Sequence, residues 1–265
     1  MTNAPVQTRL AATILLLRDG RDGLEVFMLQ RHHQIDFAKG AMVFPGGRLD
    51  PEDGNPAVTA RCRGVEGLSA SEIGLRVAGI RETFEECGVL LAHRRGSDDL
   101  IDADGVGALE ERYRADLQAG ELSIVQLVES EDLELACDRL VLFAHWITPE
   151  MMPKRFDTHF FLAQAPADQL ALHDGHESVD SVWTTPAAAA AEAEAGRRTI
   201  IFPTLMNLRK LGRSQRAADA IRAARADRIV TVLPRVQPGD DGQPVLHIPA
   251  EAGYDVVNAP VDGLR

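Results

Sequence analysis

One helix constrains this chain more than any other segment. The run Arg81-Glu82-Thr83-Phe84-Glu85-Glu86-Cys87-Gly88-Val89 can be placed on a helix at roughly 100° per residue. Ile73, Val77, Ile80, Phe84 and Cys87 then share one narrow stripe, while Glu82, Glu85 and Glu86 fall on the opposite side at i, i+3 and i+4. Ser69 or Ser71 can cap this helix, and Ser69 has Glu72 at capping-box spacing. The expected helix runs from about Glu72 to Cys87 and stops at Gly88, a residue suited to the position after the last turn. One face must therefore pack into a core, and the other presents three carboxylates.

A row of glutamates is ordinarily a solvated helix face. Two details favour chemistry here. Three acidic groups packed this closely repel one another unless a cation or an arginine sits among them. A Pro45-Gly46-Gly47 turn also lies upstream, where backbone carbonyls can approach a metal. Hard divalent cations want oxygen ligands, and magnesium commonly takes one or two protein carboxylates together with phosphate oxygens and water. Such an ion would neutralise a diphosphate and acidify an attacking water.

Around this helix the chain alternates short apolar runs with turn residues. Residues 10–17 and 24–30 flank an Arg-Asp-Gly-Arg-Asp-Gly sequence and read as a β-hairpin. Residues 48–70 form an excursion broken by Pro51, Gly54, Pro56, Gly64 and Gly67. Residues 105–119 form a helix in a charged insertion. Strand-like runs follow at 140–147, 158–163 and 178–184. Pro186 opens an alanine-rich helix over 187–195, and a long helix is expected from Pro203 to about Ala226. Two short strand candidates, 229–233 and 245–248, complete the chain. Strands and helices mix without strict alternation, which favours an α/β layered domain on a mixed sheet. The expected organisation is one domain over residues 8–228, interrupted at about 54–70 and 96–135, with a C-terminal extension over 229–265 packed on it.

Charge narrows the partners. The formal net charge is −12 over 265 residues, which disfavours nucleic acid and anionic membranes because both are polyanions. A small phosphorylated substrate remains compatible if a cation mediates the contact. Cys62, Cys87 and Cys137 are odd in number, widely spaced and lack a C-x-x-C, so a reducing, cytoplasmic setting is expected. The apolar run Leu10–Leu17 is followed by Arg18-Asp19-Gly20 rather than by a small-residue cleavage site and reads as a strand. The terminal Gly263-Leu264-Arg265 is not a peroxisomal address. Arg209, Lys210, Arg213, Arg216, Arg222, Arg225 and Arg228 make the helix after Pro203 basic. That is either a solvated face or a surface facing substrate or a second copy in a homodimer.

These residues resemble the Nudix hydrolases, whose motif reads G-x5-E-x7-R-E-U-x-E-E-x-G-U with U a bulky aliphatic. Arg81, Glu82, Glu85, Glu86, Gly88 and Val89 match the second half, with Thr83 at an aliphatic position. Gly47 begins the first half, and Asp53 stands where the motif has glutamate, with Glu52 beside it. About twenty residues more than the motif's seven separate Asp53 from Arg81, so spacing alone assigns neither acid a role. The acyl-coenzyme A diphosphatases of mitochondria and peroxisomes look similar, with a segment inserted inside the box. Arg31, Gly40 and Phe44-Pro45-Gly46-Gly47 match that branch's R-x8-G-x3-F-P-G-G pattern, although Asp36 replaces a second arginine. Trp146-Ile147-Thr148-Pro149 and Arg155-Phe156-Asp157-Thr158-His159-Phe160-Phe161-Leu162 also resemble it.

The resemblance implies an α/β/α sandwich around a mixed sheet, with helical insertions. It implies that Glu82, Glu85 and Glu86, with the carbonyl of Gly47, hold magnesium or manganese. Glu82 is alternatively a general base. Arg81 would orient the carboxylates, and Glu177, in the loop Asp174-Gly175-His176-Glu177, would supply a further acid or base. Arg31, Lys39 and Arg155 are candidates for phosphate contacts. The implied reaction is hydrolysis of a diphosphate in a small molecule. Coenzyme A or an acyl-coenzyme A would give 3′,5′-ADP and 4′-phosphopantetheine or its acyl form. ADP-ribose, a dinucleotide or a nucleoside triphosphate is the alternative substrate, and a ligand-binding module without turnover is the alternative of another class.

Overall fold

The structure, a computed structural model, describes residues 6–32, 40–169, 171, 178–239 and 242–260. Its organising element is β1 (Arg9–Gly20), which turns through Arg21 and Asp22 into β2 (Gly23–Arg31) as the expected hairpin. Gly23 takes φ 116° at the turn, a conformation that costs glycine little. β3 (Met42–Val43) pairs with β2, and β4 (Gly46–Arg48) pairs with β1.

After β4 the chain makes a 3-10 turn (Pro51–Gly54) and the short α1 (Pro56–Thr59), then enters α2 (Ala70–Cys87). The α2 boundaries follow the sequence signals. Ser69 and Glu72 form a reciprocal capping box, and Gly88 ends the helix at φ 69°. β5 (Ala92–Arg94) leads to α3 (Ala103–Leu109), a π-helical turn (Glu110–Arg114) and α4 (Ala115–Ala119), which together make the helix expected over 105–119. α5 (Ile124–Ser130) and β6 (Leu133–Leu135) finish the insertion, with β6 antiparallel to β5.

The main sheet is continued by β7 (Val141–Ile147), β8 (Phe156–Gln164) and β9 (Ser178–Thr184). β8 lies parallel to β1 from Arg9↔Phe156 to Leu17↔Gln164, whereas β7–β8, β1–β2 and β2–β9 are antiparallel. The sheet is therefore mixed, and each face buries its own core. Ala12, Ile14 and Leu16 of β1 pack towards α2 and α5, alongside Ile73, Val77, Ile80, Phe84 and Leu127. Leu15 and Leu17 point the other way, into a second core with Met206, Leu208, Leu211, Ala217 and Ala220. Strand alternation on β1 thus feeds both layers of an α/β/α sandwich.

The second layer holds α6 (Pro186–Glu194), α7 (Phe202–Leu211) and α8 (Ala217–Ala226). The single helix expected from Pro203 to Ala226 is in fact two, because Gly212–Arg216 forms a turn captured by the hairpin. Gln215 accepts a backbone hydrogen bond from Leu24 at 3.0 Å. The Ala217 amide at the start of α8 donates to Asp19 Oδ1 at 2.8 Å, so a cap supplied from 198 residues away starts the second helix. Most of the basic residues there are tied within the chain. Arg209 meets Glu194, Lys210 meets Asp227, Arg213 donates to the Gly253 carbonyl and Arg222 meets Asp219.

Beyond α8, β10 (Thr231–Val232) adds to the edge of the sheet beside β7. β11 (Arg235–Pro238), β12 (Pro244–His247) and β13 (Asn258–Pro260) form a small separate antiparallel sheet. This segment is anchored by a buried chain in which Trp146 Nε1 donates to Tyr254 Oη and Tyr254 Oη donates to Asn207 Oδ1, both at 2.8 Å. Among the described residues no helix is long and apolar enough to cross a membrane. Tyr254→Phe removes one hydroxyl that serves two buried partners. It should cost about 1–3 kcal/mol, read as a lower midpoint of denaturation, and an unchanged midpoint would show that the C-terminal segment is not held this way.

Candidate active site

β4 lies against β1 more closely than a side chain would allow. Gly46 sits at φ 155°, and a Cβ there would come within 2.3 Å of the Ala12 carbonyl oxygen and 2.6 Å of Thr13 Cα. With that approach secured, the Gly46 amide donates to Glu86 Oε2 at 2.8 Å. Gly47 pairs with Ala12, and a Cβ on it would fall 2.3 Å from the Glu82 carboxyl carbon. Gly46 is thus required by the strand behind it, whereas a side chain at Gly47 would have to displace the Glu82 carboxylate in front.

The three glutamates stand on one side of α2, as the helical spacing predicts, but they are not freely solvated. The Glu82 and Glu85 side chains keep only 16% and 12% of their accessible surface, and Glu86 is buried. Arg81 threads among them, with Nη1 3.0 Å from Glu82 Oε1 and 3.2 Å from both carboxylate oxygens of Glu85. Burial, with the neighbouring Glu85 adding to it, raises the Glu82 pKa to about 7 against the attraction of Arg81. A carboxyl held that high is a group whose charge the protein leaves under-compensated.

The role of Asp53 escaped sequence reasoning. It is fully buried and holds Arg81 in a fork, with Nε donating to Oδ1 at 2.9 Å and Nη2 to Oδ2 at 3.0 Å. Arg81 Nη2 also donates to the Arg48 carbonyl at 3.0 Å. The excursion after Asp53 loops out and returns, so the two halves of the motif meet in space despite their separation in sequence. Gly74 on α2 faces this loop closely: a Cβ there would sit 3.1 Å from the Leu49 side chain and 3.5 Å from Gly54. Asp53 is itself fixed by accepting from the Asp50 amide at 2.8 Å. Burial raises its pKa while the bonds from Arg81 pull it back. The signal was present in the five residues between Gly47 and Asp53, but the spacing to Arg81 masked it.

The insertion reaches the same C-terminal end of α2 that carries the glutamates. The Glu85 carbonyl, one of the last on the helix, accepts from Arg114 Nε at 2.9 Å and from Gln118 Nε2 at 2.6 Å. These bonds satisfy an orphan helix-end carbonyl and place a cation at the negative pole of the helix. Arg114 belongs to the π-helical turn, and nothing in its sequence surroundings marked it. Beside the acidic cluster opens a cleft of about 460 Å³, lined by Asp50, Asp53, Arg81 and Glu85 on one side and by Leu122 and Ile124 of the insertion on the other.

Among the other expected site residues, Arg31 and Arg155 do not line this cleft, and the rest fall outside the described residues. Arg31 ends β2, where its amide donates to the Ala41 carbonyl at 3.0 Å. Arg155 is buried, and its guanidinium donates to the carbonyls of Thr148 and Val6, each at 3.0 Å. It therefore holds chain segments together as it stands. Lys39, Asp36 and Glu177 fall outside the described residues.

The donor set fits a hard divalent cation. It consists of oxygens, it is packed closely enough for a Cβ on Gly47 to collide with Glu82, and burial withholds full charge from Glu82 until a cation compensates it. Glu82, Glu85 and Glu86 are the side chains of this cluster that could hold such a cation.

Comparison with known proteins points the same way. Residues 55–211, more than half of the chain, match the NUDT19 Nudix domain model. The chain is 24% identical to the acyl-coenzyme A diphosphatase NUDT19 of Xenopus laevis, over 71% of this chain and 59% of that protein. It is 28% identical to the putative nudix hydrolase 7 of Caenorhabditis elegans, over 77% of this chain and 60% of that protein. The match thus spans about three-fifths of these relatives' length. A crystal structure of a NUDIX hydrolase from Alicyclobacillus acidocaldarius superposes with a TM-score of 0.68 at 26% identity, covering 83% of this chain and 97% of the other. The family match begins just after Asp53, and the structure joins Gly46, Gly47 and Asp53 to it through direct bonds and contacts with α2. The chain belongs to the Nudix hydrolase family, in its NUDT19 branch.

Proposed function

We propose that this protein hydrolyses the diphosphate of coenzyme A or an acyl-coenzyme A, releasing 3′,5′-ADP and 4′-phosphopantetheine or its acyl form. The observation that carries the hydrolytic reading is the closed acidic cluster in which Gly46 binds Glu86, Gly47 abuts Glu82, and Asp53 fixes Arg81. The coenzyme A preference rests on the relatives' stated activity and on the pattern Arg31, Gly40 and Phe44-Pro45-Gly46-Gly47. Asp36, where that pattern has a second arginine, leaves ADP-ribose, a dinucleotide or a nucleoside triphosphate open as the competing substrate. Three free thiols accord with a reducing compartment such as the cytoplasm.

When bound, magnesium or manganese supplies charge neutralisation of the diphosphate and a more acidic water. The chain's own part is positioning. Arg81 holds Glu82 and Glu85 in one orientation, Asp53 keeps Arg81 from swinging away, and the Gly46 amide sets the rotamer of Glu86. Water adds across the linkage: its oxygen joins one phosphorus, the bridging P–O bond breaks, and its protons pass to the released phosphates. Glu82 or Glu177 is the proposed general base.

Product analysis by liquid chromatography with mass detection tests the substrate. Coenzyme A, an acyl-coenzyme A, ADP-ribose and NADH are supplied in parallel with magnesium. Release of 3′,5′-ADP from the coenzyme A compounds, abolished by chelator, is the expected result. Cleavage of ADP-ribose or NADH instead would keep the chemistry and remove the coenzyme A assignment. No cleavage with either magnesium or manganese would favour a binding module.

Glu86→Gln isolates charge from shape. The amide oxygen of glutamine can still accept from Gly46, so the fold should persist while one anionic ligand is lost. Turnover should fall by at least about a hundredfold, a few kcal/mol of lost electrostatic stabilisation, and wild-type rates would refute the metal-site assignment.

Glu82 makes a prediction about pH. Its folded pKa of about 7 lies above the ordinary value of 4.5, so the folded protein binds this proton more tightly than the unfolded chain does. Stability is therefore lost as pH rises from about 4.5 through about 7 and stays low above that, by an amount on the order of 3 kcal/mol. Without metal, Glu82→Gln should be more stable than the wild type at pH 8, with the difference shrinking towards pH 5. A constant difference across this range, followed by thermal denaturation in chelator, would show that Glu82 is not held in this way.

A further inference from the structure

A second cluster of metal-ligating side chains lies on the same face of the sheet, away from the glutamates. His145 on β7 and Asp157 and His159 on β8 present three ligand atoms that all lie within 4.8 Å of one another. His145 pairs directly with His159 across the strands, and both belong to the series facing α2, since Phe161 on β8 packs in that core. His159 pairs with Ala12, which in turn pairs with Gly47. The cluster is thus two strands, or about 10 Å, from Gly47, and Glu72 of α2, which bears on His159, is about 15 Å along the helix from Glu82.

The arrangement is that of a partly assembled site. His145 Nε2 is 2.5 Å from Asp157 Oδ1, and His159 Nδ1 is 3.8 Å from the same oxygen. His159 Nδ1 is buried and lacks a hydrogen-bond partner among the described residues, a costly condition for a ring nitrogen. The other nitrogen of His145, Nδ1, lies 2.8 Å from Thr231 Oγ1 on β10. A histidine whose second nitrogen is held by an oxygen is oriented as metal-bound histidines are. Each side chain is about one-fifth exposed, at 17%, 22% and 19% for His145, Asp157 and His159, which leaves room for a water as fourth ligand. Arg76 is the opposing charge: its guanidinium lies over the Phe161 ring at 5.2 Å and, with Glu72, bears on His159. Glu72 offsets it from the same helix.

We propose that His145, Asp157 and His159 form a second metal site, for a borderline divalent ion such as zinc, that ties β10 and the C-terminal segment to the sheet. Two imidazoles and one carboxylate suit zinc and its transition-metal neighbours rather than magnesium. Small side-chain rotations bring the three atoms to the spacing of a tetrahedral site. The ion takes the lone pair of His159 Nδ1 and replaces the proton shared by His145 and Asp157. This inference stands apart from the proposed activity, since it uses none of the groups on α2 that carry the hydrolytic reading.

The test uses untagged, metal-stripped full-length protein titrated with zinc chloride while millimolar magnesium occupies the oxygen ligands. Calorimetry reads affinity and stoichiometry, and X-ray absorption at the zinc edge reads the ligands. One zinc per chain with two imidazoles in its first shell is expected, together with a higher thermal midpoint. His145→Gln, His159→Gln and Asp157→Asn should each weaken zinc by about tenfold or more, while His247→Ala, a histidine bonded to Asn258 on the separate sheet, should bind as the wild type does. Thermal midpoints in chelator distinguish lost ligation from misfolding, and Asp157→Asn keeps the shape of the cluster should a histidine variant fail to fold. Unchanged affinity in the variants, or a zinc shell without imidazole, would overturn the proposal.

Discussion

The fork between Asp53 and Arg81 is the contact on which the acidic site depends. Without it, the glutamates of α2 would be a repelling row on an exposed helix face, as such rows usually are. With it, one planar guanidinium touches Asp53, Glu82, Glu85 and a backbone carbonyl at once. Arginine suits this task because its five donors are fixed in a plane, whereas a lysine could point at one partner at a time. Asp53 has no exposure to water, so its charge is supported by Arg81 and by the amide of Asp50, and removing either partner would leave a buried group uncompensated. The pair also joins a strand-derived loop to a helix, which is why the excursion between them can lengthen without moving the site.

Much of this was legible in the sequence because it follows local rules. The α2 boundaries came from a capping box and a terminal glycine, the hairpin from its Asp-Gly turns, and the buried stripe Ile73, Val77, Ile80, Phe84 and Cys87 from helical spacing. What was missed depends on contacts distant in the chain. Asp53 could not be linked to Arg81 by spacing once the excursion intervened. Arg114 and Gln118 cap α2 from 29 and 33 residues away. The break between α7 and α8 is set by Asp19 and Leu24 of the hairpin, although Gly212 and Ser214 were local hints that a continuous helix was too simple. Helical periodicity continues across such a break because both helices face the same core.

The insertion after β5 is part of how the site is built. It brings a cation to the end of α2 where the helix dipole is negative, and it forms one wall of the cleft beside Glu85. The π-helical turn gives a physical reason for its placement. An extra residue within a turn shifts the register of the side chains that follow, and here Arg114 and Gln118 both arrive at the Glu85 carbonyl. Arg114 and Gln118 are four residues apart and so share one helix face, and the shift turns them together.

The two candidate ion sites differ in donor chemistry, and that difference limits competition between them. The cluster on α2 offers only oxygens, which suits a small, strongly hydrated ion that keeps part of its water for exchange with a phosphate. The cluster on β7 and β8 offers two imidazole nitrogens and one oxygen, a set that favours zinc and its neighbours over magnesium. Their surroundings differ as well. The first opens on a cleft able to admit a ligand, whereas the second is built on paired strands, whose backbone hydrogen bonds hold its ligands at nearly fixed separation. A rigid nitrogen-rich site favours retention, and a cleft-side oxygen site favours turnover. The same sheet can therefore support a resident ion and an exchangeable one, kept apart by β1 and by the hardness of their ligands.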